Sequence, residues 1–173
     1  MNNQIQEFIS NKNLAVIGAS RSGNKFGNLA AKELVKRGYS VYLIHPDTEI
    51  IDGIKTYSNL SKVKNLVNTL WVNVPPEKGK EILIEAASLG IKKIWLQQGA
   101  ESQDLLDSGI KLNLDLIYKK CILMYAEPVG SFHKVHQILW KIFGHCHDTK
   151  SIFQSFLHFH MIQLIQLSHY YDR

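Results

Sequence analysis

Apolar runs and amphipathic stretches alternate along the chain from Asn13 to Tyr118. Residues 13–18, 39–44, 70–74, 93–96 and 114–118 are short segments rich in Val, Ile, Leu and aromatic side chains. Such runs, set off by Gly, Pro or charge, read as strands buried on both faces. Between them the apolar positions recur at helical spacing. Phe26, Leu29, Ala30, Leu34 and Val35 define a helix over residues 24–37 that Gly38 closes. Ile82, Leu83, Ala86 and Leu89 mark the inner face of a helix over residues 77–88, stopped by Gly90. Residues 102–108 predict a shorter helix, and residues 5–9 another ahead of the first strand. Pro75-Pro76 ends the third strand. Residues 46–55 are polar and turn-rich, and Thr56-Tyr57 leads into a connecting segment. Strands alternating with helices predict an α/β fold, a doubly wound, mainly parallel five-stranded sheet with helices on both faces. The simplest right-handed strand order is 3-2-1-4-5.

From Gly130 onward the pattern changes. Phe132, Val135, Leu139, Ile142 and Phe143 form one helical stripe, ended by Gly144. Residues 151–171 hold no Asp, Glu, Lys or Arg, yet are dense in Phe, Leu, Ile and His. Gln154, Gln163, Gln166 and the histidines among them make membrane insertion costly. The expected division is a nucleotide-binding domain over residues 1–144 and an apolar, His-rich, helical C-terminal extension over residues 145–173. That extension is expected to pack on the domain or on a second copy of the chain, giving a homo-oligomer through the C-terminal helices.

Length fits one domain with a proper core. A formal charge of +5 and a pI near 9.1 favour an anionic partner. The basic residues are scattered rather than blocked, which points to a solvated surface and away from a nucleic-acid track. The two cysteines, Cys121 and Cys146, provide no disulfide framework and fit a reducing compartment. Met1-Asn2-Asn3-Gln4 lacks the charged and apolar regions of a signal peptide, so a cytoplasmic setting is expected.

The turn after the first strand carries the clearest chemistry. Val16-Ile17-Gly18-Ala19-Ser20-Arg21-Ser22-Gly23 breaks an apolar run into a glycine turn before a helix, which presents backbone N–H groups to a phosphate. Gly18 and Gly23 occupy the first and third positions of G-x-G-x-x-G, with Ser20 at the middle one. A middle glycine lets a pyrophosphate approach the backbone; Ser20 narrows that approach and adds a hydroxyl donor. Arg21 and Lys25 supply charge nearby. At the end of the second strand an acid would hold the ribose of NAD, whereas this chain has His45-Pro46. A phosphorylated ribose, as in coenzyme A or NADP, is favoured over NAD.

These segments resemble the CoA-binding domain family, small stand-alone Rossmann-like proteins related to the nucleotide-binding domain of the succinyl-CoA synthetase α subunit. The resemblance runs through Val16-Ile17-Gly18-Ala19-Ser20, Lys25-Phe26-Gly27, Gly38-Tyr39-Ser40-Val41 with His45-Pro46, and Ile51-Asp52-Gly53 with Tyr57. It continues through Val74-Pro75-Pro76 and Ile94-Trp95-Leu96-Gln97-Gln98-Gly99-Ala100, then Cys121, Glu127-Pro128, His133 and His136. The family usually shows Asn where this chain has His45. The resemblance implies a site for coenzyme A or an acyl-CoA on the carboxyl edge of the sheet. Gly18, Ala19, Ser20 and Arg21, with Lys25, Phe26 and Gly27, would cradle the phosphates and open the helix. Pro46 would line the adenosine side, Val74, Pro75 and Pro76 an apolar wall, and Gln98 and Gly99 would close the crevice.

No catalytic constellation is legible. Cys121 reads as a buried, inert thiol and Glu127 has no fixed acid–base partner. His145, Cys146 and His147 alternate without metal-ligand spacing. Trp71, Trp95 and Trp140 sit in apolar patterns and are expected in the core. The expected function is non-catalytic binding of coenzyme A or an acyl-CoA. The alternatives are an NADP-linked oxidoreductase, or an interaction protein with a vestigial nucleotide site.

Overall fold

The computed structural model describes residues 3–23 and 25–126. The 132–143 stripe, the tail over 145–173, Trp140, Cys146 and the Glu127, His133 and His136 positions lie outside the described residues. Helix α1 (Asn3–Ser10) leads into strand β1 (Asn13–Ile17), helix α2 (Phe26–Lys36) and strand β2 (Ser40–Ile44). A hairpin of β3 (Ile50–Ile51) and β4 (Ile54–Tyr57) follows. Then come β5 (Thr69–Val72), α3 (Gly79–Ser88), β6 (Lys93–Gln97), α4 (Gln103–Lys111) and β7 (Asp115–Lys120). Single 3-10 turns lie at Leu60–Lys62, Pro76–Lys78 and Ile122–Met124.

The sheet has seven strands in the order β3-β4-β2-β1-β5-β6-β7. Among the described residues, only the β3–β4 pair is antiparallel. The five expected strands are all present, but their order corrects the simple 3-2-1-4-5 arrangement. The segment around residues 70–74 lies against β1, not outside β2. The place beside β2 belongs to β4, which pairs in parallel only at Leu43↔Thr56 and Ile44↔Tyr57. With β4 as third parallel strand, the six parallel strands follow the 3-2-1-4-5-6 order of a Rossmann sheet. An Ile-Lys-Thr-Tyr strand has too few apolar positions to announce itself by periodicity.

Side chains alternate across the sheet, so each strand feeds two cores. Leu14, Val16, Trp71 and Trp95 face one layer with α1 and α2. Ala15, Leu70, Val72, Ile94 and Leu96 face the other with α3 and α4. Trp71 and Trp95 are fully buried, and each indole N–H has an acceptor: Gln97 Oε1 at 3.1 Å and the Lys120 carbonyl at 2.9 Å.

Helix α2 buries a different stripe from the one its large apolar residues suggest. Ala30, Ala31 and Leu34 are inside, with Gly27 and Asn28, whereas Phe26, Leu29 and Val35 are exposed. Small side chains win the buried positions because the helix start lies almost against the sheet. A Cβ at Gly27 would stand 2.2 Å from the Gly18 carbonyl oxygen. Helix α4 begins one residue late, with the Ser102 hydroxyl accepting from the Leu105 N–H at 3.2 Å as an N-cap.

Candidate functional site

The carboxyl ends of the parallel strands gather the candidate residues. Beyond β1 the chain turns at Gly18, whose φ of +119° only glycine adopts readily. A Cβ there would meet the Asn73 carbonyl oxygen at 2.2 Å, so the ends of β1 and β5 touch. Gly27 repeats the device from the helix side. The third glycine of G-x-G-x-x-G ordinarily serves close helix–strand packing; here Gly27 makes that approach, while Gly23 closes a turn by donating to the Ser20 carbonyl at 3.2 Å.

Between these glycines the loop is held by a residue the sequence reading did not single out. Asn28, 1 % exposed, accepts the Ser20 N–H at Oδ1 and donates from Nδ2 to the Ser20 carbonyl, both at 2.8 Å. The same Nδ2 donates to Asp52 Oδ2 at 3.0 Å. Asp52, at the β3–β4 turn with φ +51°, also pairs with Lys32 at 3.5 Å. The Ser20 amide is therefore occupied, and its hydroxyl lies 3.0 Å from that of Ser22. The open donors are further on. Lys25 stands at the N-cap of α2 in extended conformation with no side-chain cap, and the first turn carries no acid. An uncapped helix start attracts an anion through its free N–H groups and positive dipole end. The Arg21 and Lys25 side chains are exposed beside it, and Ala19 is buried beneath the turn.

On one flank, β2 is followed by His45, whose N–H donates to the Tyr57 carbonyl at 2.9 Å. Its ring Nδ1 accepts the Asp47 N–H at 3.2 Å, so the imidazole caps the turn that carries exposed Pro46. On the other flank an open cleft of about 370 Å³ separates the loops after β5 and β6. Val74, Pro75 and Pro76 line one side, Gln98 and Gly99 the other. Asn73, Glu77 and Ala100 complete it. Gly99 donates to Glu101 Oε2 at 2.8 Å, and Ala100 donates to the Gln97 carbonyl at 2.7 Å. Gln97, the last residue of β6, is buried, and its Oε1 accepts the Ile122 N–H at 3.3 Å as well as the Trp71 indole N–H.

All expected site residues thus stand at adjacent strand ends, in the spatial order Pro46, the Gly18–Gly27 loop, Val74–Pro76, Gln98–Gly99. Five of them share the cleft; Pro46 stands apart, on the far side of β1. Asn28 and Asn73 are additions from the structure, and Asp52 and Gln97, which stand in the resembling segments, gain their roles from it. A polar side chain within the α2 repeat was the one available signal for Asn28. Half-buried Cys121 follows β7, outside the cleft lining. Among the described residues, no cluster of His, Cys, Asp or Glu is arranged to hold a metal, and no helix is long and apolar enough to cross a membrane.

A family model described as a CoA binding domain matches residues 12–127, which include every one of these strand-end loops. The chain belongs to the CoA binding domain family. Relatives of this family member include the α subunit of an ADP-forming acetate–CoA ligase II from Pyrococcus furiosus, 26 % identical over 126 residues. That match covers 66 % of this chain but 28 % of the ligase subunit. An ADP-forming acetate–CoA ligase of Methanocaldococcus jannaschii is 31 % identical over 81 residues, 47 % of this chain and 12 % of the ligase. Among solved structures, a conserved hypothetical protein from P. furiosus matches with a TM-score of 0.61 and 32 % identity, over 64 % of this chain and 96 % of that one. A hypothetical protein from Pyrococcus horikoshii has the same fold, with a TM-score of 0.67 and 23 % identity over 75 % and 92 % of the two chains. The CoA binding domain chain therefore matches small proteins over nearly their full length and larger ligases over a fraction of theirs.

Proposed function

We propose that this protein binds coenzyme A or an acyl-CoA along the carboxyl edge of its sheet and performs no chemistry on it. The observation that carries the proposal is the uncapped α2 start, flanked by His45-Pro46 on one side and the apolar cleft on the other. An anion on the helix start leaves an extended ligand two directions to run, which suits a nucleotide joined to a long arm. Gly18, Ala19, Ser20 and Arg21 with Lys25, Phe26 and Gly27 would enclose the phosphates, and Pro46 would line the adenosine side. Val74, Pro75, Pro76, Gln98 and Gly99 would hold the arm. His45 in place of a strand-end acid admits a phosphorylated ribose. The absence of chemistry rests on the lining, which offers amides, apolar surface and one exposed carboxylate rather than a paired acid and base.

A cytoplasmic setting is part of the proposal, as is a division of the chain at residue 144. Isothermal calorimetry with coenzyme A tests the binding. Saturable heat is expected, and Lys25→Glu should weaken affinity at least about tenfold by setting a negative charge at the helix start. No heat at millimolar ligand, or an unaltered affinity in the variant, refutes it.

A further inference from the structure

We infer that the cleft selects against acyl-CoA thioesters whose acyl group is negatively charged, and that Glu77 is the specificity-determining residue; this rests on the coenzyme A site proposed above. With phosphates at the α2 start and adenosine on the β2 side, the arm of the ligand crosses from β1 towards β5 and enters the cleft between the β5 and β6 loops. Among the described residues lining that cleft, Glu77 alone is ionisable. It is exposed and has no ion pair among the described residues, while Lys78 of the same 3-10 turn does not line the cleft. Glu101, which accepts the Gly99 N–H, adds a second carboxylate beside the rim.

A free thiol or a short neutral acyl group brings no charge for Glu77 to oppose and packs on the proline, valine and amide surface of the lining. A dicarboxylic acyl group, such as malonyl or succinyl, brings its own carboxylate into a cleft with no cation in its lining. Rejection then comes from unpaired like charge rather than from shape. One like charge across a solvent-open cleft corresponds to roughly a three- to tenfold loss of affinity.

Calorimetry on the full chain with free CoA, acetyl-CoA and succinyl-CoA tests this, on wild type and Glu77→Gln, at low and raised salt. Free CoA and acetyl-CoA should agree within about twofold and succinyl-CoA should bind roughly three- to tenfold more weakly. Glu77→Gln should close most of that gap, and raised salt should narrow it in the wild type. Equal binding of acetyl- and succinyl-CoA, or a gap that survives both Glu77→Gln and salt, overturns the inference while leaving the coenzyme A site standing. Failure of all three ligands to bind overturns the site, and the inference with it.

Discussion

Asn28 shows how a single side chain can decide what a loop offers to a ligand. By bonding both the N–H and the carbonyl of Ser20, it acts like a strand edge and takes that amide out of reach of a phosphate. An anion approaching this loop would instead meet the α2 start, where Lys25 provides no side-chain cap. Asn28→Leu keeps approximate size but strands the two Ser20 backbone groups and removes a partner of Asp52. Urea denaturation should show a loss of about 2 kcal/mol, and coenzyme A affinity should fall by more than tenfold because the loop is no longer fixed. Lost stability with unchanged affinity would show that the loop geometry does not depend on this clamp. The motif glycines and Ser20 were legible because their spacing is local. Asn28 was not, because its value depends on Ser20 and Asp52, 8 and 24 residues away in the chain.

At the scale of elements, the sheet depends on how its two faces are closed. Arg37 follows the last turn of α2 and is 5 % exposed, an unusual fate for a charge. Its Nη1 donates to the carbonyls of Leu123 and Ala126, each at 2.7 Å, and its Nε donates to Glu33 Oε1 at 3.0 Å. The segment after β7 is thereby tied to α2, over the core that holds Ile122 and Leu123. Arg37→Met would fill similar volume but leave two carbonyls and a carboxylate without their donor. The expected cost is about 2–4 kcal/mol in chemical denaturation. Faster amide exchange should be confined first to residues 122–126. A stability loss below about 0.5 kcal/mol would show that water replaces the guanidinium. In helix α2 the buried stripe keeps Ala30 and Leu34 of the apolar spacing but leaves its other three apolar positions outside. Phe26, Leu29 and Val35 have the larger side chains, but Gly27, Ala30 and Ala31 allow the close approach.

For the whole molecule, the proposed ligand binding would be linked to folding, since a site assembled from loops of β1, β5 and β6 does not exist in the unfolded chain. Coenzyme A at a hundred times its dissociation constant should add about 2.7 kcal/mol of stability, or a rise in melting temperature of roughly 6–10 °C. NADP at the same concentration should give no comparable shift; an equal or larger shift with NADP would return the oxidoreductase alternative to first place. The sequence by itself determined the alternation of strands and helices, the loops where chemistry could reside and the family those loops resemble. Those features are written in spacings of a few residues, which a linear reading captures. Only the tertiary structure decided that β4 takes the place beside β2, that Gly27 meets Gly18, and that Asn28 and Arg37 face inward. It also aligned the loops of β2, β1, β5 and β6 into one edge. Each of these depends on which distant segments pair, and a strand as short and polar as β4 carries no periodic signal that would reveal its neighbour.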